Sequence, residues 1–235
     1  ISYEKMGNIC KTEGNLQAAR KYYELSLEIS KQLAEEAPAI KSRRDLSISY
    51  EKMGNISKSQ GNIPAARKYY ELSLEISKQL AEESPTIDIR RGLSISYERM
   101  GGICESEGDI PAARKYYELD LEISKQLAEE SPTVKSRRDL SISYERMGDI
   151  LKAEGDIPVA RKYYELKLNI DRQLVEESPT IENRWNLSIS YERMGDILKA
   201  EGNLPAAWKY YVLDLELSKQ LAEESPTIEN RRSLS

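Results

Sequence analysis

The stretch ISYEKMGNISKSQGNIPAARKYYELSLEISKQLAEESP, residues 48–85, holds the period, the breaks and the apolar pattern of the whole chain. Its opening, Ile48-Ser49-Tyr50-Glu51-Lys52-Met53-Gly54, returns with Lys or Arg in fifth place at Ile1, Ile95, Ile142 and Ile189, each 47 residues from the next, so five copies account for all 235 residues. A fixed period of about twenty to fifty residues means a stack of one supersecondary unit, each copy burying its apolar face against its neighbours. A single array over 1–235 is expected, divided into repeats 1–47, 48–94, 95–141, 142–188 and 189–235.

Ten of the twelve glycines and all nine prolines fall at fixed repeat positions. Gly61-Asn62 and its copies at Gly14, Gly108, Gly155 and Gly202 read as a helix-stopping glycine followed by an Asn or Asp N-cap. Pro64, Pro111, Pro158 and Pro205 then fall in the first helical turn, where a missing N–H costs little. The second break, Ser84-Pro85-Thr86 and its copies, reads as a serine cap with proline opening the next helix. Each repeat is therefore two helices, predicted at about 40–60 and 63–83.

On a helical wheel the first helix gathers Leu46, Tyr50, Met53 and Ser57 on its core side. The second has a broader apolar arc, formed by Leu72, Ile76, Leu80, Tyr69, Tyr70, Ala66, Leu74 and Ala81, as expected of a helix packed on two sides. Gly54 and its copies sit inside the first helix, where glycine costs about 1 kcal/mol relative to alanine, so a close approach by another helix is the expected compensation. Cys10 and Cys104 share one repeat position with Ser57, Leu151 and Leu198, which reads as a small buried slot.

Bulk composition narrows the function. A formal charge of −5 lacks the clustered basic surplus of a nucleic-acid groove, and histidine, the commonest general base and metal ligand, is absent. Two cysteines two repeats apart make no disulfide framework, and no apolar run approaches the roughly twenty residues of a membrane span. Phosphate-binding loops, zinc spacings and nucleophile elbows are lacking, and the sequons at Asn55 and Asn186 lie in predicted helix. These observations point to a cytoplasmic protein that is no enzyme and has no cofactor, no metal, no nucleic-acid partner and no membrane partner.

The residues resemble the tetratricopeptide repeat, a family with a period of roughly 34 residues. Tyr3, Met6, Gly7 and Cys10 match its first cluster, and Gly14-Asn15, Ala19 and Tyr23 its second. Its terminal proline is replaced by Lys31, and the second helix runs on to Glu36, so both helices are lengthened, as in kinesin light chains and bacterial regulatory arrays. The period alone also suits HEAT or armadillo repeats. The resemblance implies an all-α, right-handed α-solenoid of antiparallel helix hairpins, with first helices lining a concave groove that binds a peptide or partner protein.

Both the wheel and the resemblance direct one face of the first helices to that groove. Its candidate contacts are Ile48, Ile95 and Ile142, Glu51, Glu98 and Glu145, Asn55, Asp149 and Trp185. Trp185 replaces an arginine found in the other repeats, and tryptophan is enriched at binding hot spots. The isoleucine row reads either as an apolar anchoring strip or as packing between neighbouring first helices. Glu4 and its copies put acid where carboxylate-binding members of the family carry basic or amide groups, which argues against such a clamp. Ser26, Ser73, Asp120, Lys167 and Asp214 fall inside the second helix's apolar arc, where the last three alternate in sign and could form a buried ladder.

A function of a different class is a self-assembling array. Neither end of the sequence carries a polar cap, and Leu234 of one copy continuing into Ile1 and Tyr3 of the next would extend the repeat head to tail as a homo-assembly. Trp208 and Val212, four residues apart in the last repeat, replace an Arg–Glu pair and mark a lateral contact on the outer face.

Overall fold

A computed structural model describes residues 2–224, which contain ten α-helices and no strand. The helices group into two compact units, Ile1–Ile123 and Ser124–Ser235. The first holds α1 (Tyr3–Thr12), α2 (Leu16–Glu36), α3 (Ile40–Ser59), α4 (Ile63–Glu83), α5 (Ile87–Ser106) and the start of α6 (Ile110–Glu130). The second holds the rest of α6, then α7 (Val134–Ala153), α8 (Ile157–Glu177), α9 (Ile181–Ala200) and α10 (Leu204–Glu224). The helices expected at 40–60 and 63–83 are thus present almost residue for residue.

The first break forms as its sequence requires. Gly61 has φ +75°, a left-handed conformation, and its N–H donates to the Lys58 carbonyl at 2.9 Å, while Asn62 N–H reaches back to Ser57 O at 2.9 Å. The Asn62 side chain then accepts from Ala65 N–H at 3.1 Å and starts α4, with Pro64 in its first turn. At the second break the cap is threonine, not serine. Thr86 is extended (φ −68°, ψ 159°) and its hydroxyl accepts from Ile89 N–H, so the helix opens at Ile87, two residues beyond the proline. Thr133 and Thr180 repeat this, whereas Ala39 caps α3 with no side-chain hydrogen bond.

In the first unit α2 and α4, and in the second α8, pack against their own hairpin partner and against the first helix of the following hairpin. In the first unit Ala66, Tyr70 and Leu74 of α4 form one buried cluster with Tyr97, Met100 and Ile103 of α5. Leu72, expected in the arc, is exposed, and Ser73 and Ser77 are buried instead, because the arc centres on the side where the next hairpin docks. The small slot is occupied as anticipated, by buried Cys104, Leu151, Leu198 and Ser57 and by half-buried Cys10.

The helix-interior glycines have a steric cause. A Cβ on Gly54 would lie 2.4 Å from the Tyr70 ring, and one on Gly101 2.4 Å from Tyr117, far inside van der Waals contact. Gly148 faces Tyr164 and Gly195 faces Tyr211 in the same way. The seated tyrosine directs its hydroxyl to a side chain one residue past the glycine: Tyr70 to Asn55 Oδ1 at 2.8 Å, Tyr164 to Asp149 Oδ1 at 2.8 Å and Tyr211 to Asp196 Oδ1 at 2.9 Å. In α5 that position is Gly102, and Tyr117 donates instead to Glu105 Oε2 at 2.8 Å.

Two glycines of α5 should respond oppositely to alanine. Gly101→Ala drives a methyl into a buried ring and is expected to cost about 1–3 kcal/mol, overriding the gain in helix propensity. Gly92→Ala meets nothing within 4 Å and should stabilise by about 0.5–1 kcal/mol. Urea unfolding midpoints of the two variants check the pair, and equal signs would remove the steric explanation.

The tyrosines also impose an alkaline limit. Burial pushes Tyr70 and Tyr211 up to about 12, and burial reinforced by the Asp149 charge raises Tyr164 as well. The unfolded chain releases these protons near the ordinary value of 10, while the folded chain retains them, so stability is intact below about pH 10 and falls as pH climbs towards the folded values near 12. Tyrosinate absorbance of the native protein should therefore develop well above pH 10 and coincide with loss of helical circular dichroism.

Candidate binding site

The first-helix face expected to bind is built separately in each unit. In the first unit Ile48 is half-buried on α3 and Ile95 is 36% exposed on α5. In the second, Ile142 is 37% exposed on α7 and Ile189 half-buried on α9. In each unit these isoleucines are thus neither sealed between helices nor fully in water.

Those neighbours are paired across hairpins. Arg99 Nε donates to Glu51 Oε1 at 3.2 Å, and its Nη1 bonds Glu98 Oε2 at 2.6 Å. In the second unit Arg193 reaches Glu145 Oε1 at 3.2 Å and Asp149 Oδ1 at 3.4 Å. The glutamates expected to meet a ligand therefore already hold an arginine of an adjoining or shared helix. Asn55 and Asp149 likewise accept the hydroxyls of Tyr70 and Tyr164, and burial raises the Asp149 carboxyl against the pull of Arg193.

The expected ladder of Asp120, Lys167 and Asp214 does not form. Lys167, 1% exposed, places Nζ 2.9 Å from Asp171 Oδ2 one turn along α8, 3.3 Å from Glu145 Oε2 and 3.5 Å from Ser141 Oγ. A spacing of 47 residues separates the three ladder members by a whole hairpin, whereas residues four apart on one helix meet directly. Asp171 is itself buried and also accepts from Ser141 at 2.6 Å and Ser190 at 2.5 Å. Asp120 and Asp214 each accept instead from a serine of the partner helix, Ser94 and Ser188.

Trp185 is half-buried on α9 and forms a wall of a cavity of about 100 Å³ whose other lining residues are Ser188, Ile189, Glu192 and Asp214. Desolvation raises the Glu192 carboxyl; Arg193 opposes the shift, while Asp196, Asp214 and Glu145 add to it. Sequence reasoning named Trp185 but missed Glu192 as its companion. The available signal was the change of charge at one repeat position, Lys167 to Asp214, beside an unchanged glutamate.

Trp208 is 70% exposed and Val212 is half-buried on α10. The arginines that Trp208 replaces do more than pair along the helix. Arg20 bonds Glu24 at 2.9 Å and also Gln60 at 2.9 Å, and Arg161 bonds Glu165 at 2.8 Å and Glu201 at 3.0 Å. Arg20 and Arg161 accordingly face the end of the following hairpin's first helix. Tyr3, 43% exposed, stacks on Tyr22 at 6.4 Å, while Ile1 and Leu234 lie outside the described residues. No described helix is long and apolar enough to cross a membrane.

Comparison with known proteins bears on the repeat itself. Models of the tetratricopeptide repeat match residues 2–33 and 47–85, and no curated protein sequence matches the chain. Among solved structures, BtubC (BKLC) from P. vanneervenii is similar at 18% identity and a TM-score of 0.71 over 92% of this chain and 78% of that one. A putative kinesin light chain from Podosopora anserina with nearly identical TPR-like repeats has 16% identity and a TM-score of 0.58 over 96% and 95% of the two chains. The apo form of RapI has 13% identity and a TM-score of 0.60 over 95% and 84%. The chain thus carries tetratricopeptide-repeat matches at residues 2–33 and 47–85, and its described helices share the helical-repeat fold of these TPR-like structures.

Proposed function

We propose that the chain is a protein-interaction scaffold that holds a segment of a partner protein along the exposed face of its first helices. The observation that carries this reading is the isoleucine row, kept more than a third exposed at Ile95 and Ile142 on a face whose charges are already paired. Paired charges contribute little further affinity but orient and select, while a partly exposed apolar strip supplies area to bury. Trp185 extends the strip in the second unit, and a tryptophan beside a cavity is the kind of side chain on which binding energy concentrates. The helix-in-groove or extended-strand mode of recognition fits such a strip. Nothing in it requires chemistry on the bound segment.

A displayed library of random peptides serves as the probe. Peptides selected on the intact chain should bind about tenfold or more weakly to Ile95→Asp or Ile142→Asp, while Glu75→Ala on the opposite face of α4 leaves affinity unchanged. Peptides indifferent to both isoleucine substitutions would overturn the assignment.

A further inference from the structure

The cavity beside Trp185 has an internal template. Its lining residues Ser188, Ile189, Glu192 and Asp214 in the α9–α10 hairpin stand 47 residues beyond Ser141, Ile142, Glu145 and Lys167 in the α7–α8 hairpin. There the corresponding place is filled by the chain's own ammonium group, 3.3 Å from Glu145 and 3.5 Å from Ser141. In α9–α10 the lysine has become Asp214 and its counter-ion Asp171 has become Ser218, so the glutamate and serine remain and the cation is gone. At the mouth, the position of Arg138, which reaches forward to Glu182 and Asn183, is taken by the indole of Trp185.

We infer that this cavity receives the side chain of a lysine or arginine from a bound partner segment, with the indole of Trp185 against its alkyl stem or charged head and Glu192 and Asp214 as counter-ions. This deepens, and rests on, the scaffold reading by giving the partner a required basic residue. Three features converge on it: an aromatic wall that favours cations at its face, two carboxylates beside a serine hydroxyl, and a volume suited to one side-chain end. A cavity of about 100 Å³ is below the roughly 300 Å³ at which drug-sized ligand sites begin. The other hairpins lack the combination. In α3–α4 the acid is replaced by Ser73, and in α5–α6 Asp120 is buried at 3% exposure with Arg91 in the tryptophan's place.

The test uses an acetylated, amidated alanine–leucine heptapeptide with lysine, arginine, norleucine or glutamate at its centre. Binding is read from the Trp185 indole N–H resonance, assigned with Trp185→Phe, with Trp208 as the internal reference. Lysine and arginine peptides should shift the Trp185 signal and bind at least about tenfold more tightly than norleucine, and glutamate should not bind. The double variant Asp214→Lys/Ser218→Asp copies the Lys167–Asp171 pair into the site and should remain helical while losing the preference for basic peptides. Glu192→Gln, which keeps the shape, should weaken it. Equal affinity for lysine and norleucine, an unchanged preference in the double variant and in Glu192→Gln, or no shift at dissociation constants tighter than about 10 mM would each overturn the inference. Ile142→Asp separates the two readings. A basic preference that survives it sinks the isoleucine strip and spares the cavity, whereas sensitivity to Ile142→Asp with no basic preference does the reverse.

Discussion

The contact between a glycine of one helix and the tyrosine ring of the next is the constraint on which the hairpins depend. Gly54 and Tyr70, Gly101 and Tyr117, Gly148 and Tyr164 all approach more closely than any Cβ would allow. That approach fixes the depth at which the second helix seats on the first, and the tyrosine hydroxyl fixes its rotation through Asn55 or Asp149. A glycine costs helix propensity at each site, and the buried aromatic area and the satisfied hydroxyl offset it. Once the hairpin angle is set, the stripe of Met53, Ile56, Met100 and Ile103 has a defined neighbour to pack against.

Within and between hairpins the helix interfaces are unexpectedly polar. Ser47 meets Ser73 and Ser77 at 2.9 and 3.0 Å, Ser77 meets Ser96 at 3.0 Å, and in the second unit Ser143 meets Ser124 at 3.0 Å. Small hydroxyls let long helices lie close together and still give these buried oxygens a partner. The same scaffold position then takes serine or aspartate against an unchanged serine of the partner helix, and lysine where Asp171 stands in place of a serine one turn on. Lys167 is accommodated because Asp171, Glu145 and Ser141 supply an acceptor for each of its three donors. A buried charge with one partner missing would be strongly destabilising, so this variation is confined to places where a compensating residue lies one turn away or across the hairpin.

This seam also organises the exposed face. Arginines of α5 and α9 lock the glutamates of α3 and α7, and the isoleucines between them stay partly in water. Trp185 and Asp214 are two departures from the repeat that meet in one cavity.

The helices, their breaks and the repeat type were legible in the sequence, because period, glycine and proline positions and N-cap residues act locally and recur five times. The seating of glycine against another helix was legible as well, though not its partner, since a tyrosine 16 residues on is brought opposite only when the hairpin closes. Which partners the buried polar residues find was not. Ser73 falls in the second helix's apolar arc, but Ser47 comes opposite it only when the hairpin closes, and Lys167 read as part of a ladder until Asp171 proved to be its nearest acid. The sequence by itself determined the elements and the side of each that packs inward. Tertiary structure alone decided which charges face one another, because those pairings form across helices whose separation and rotation no single helix specifies.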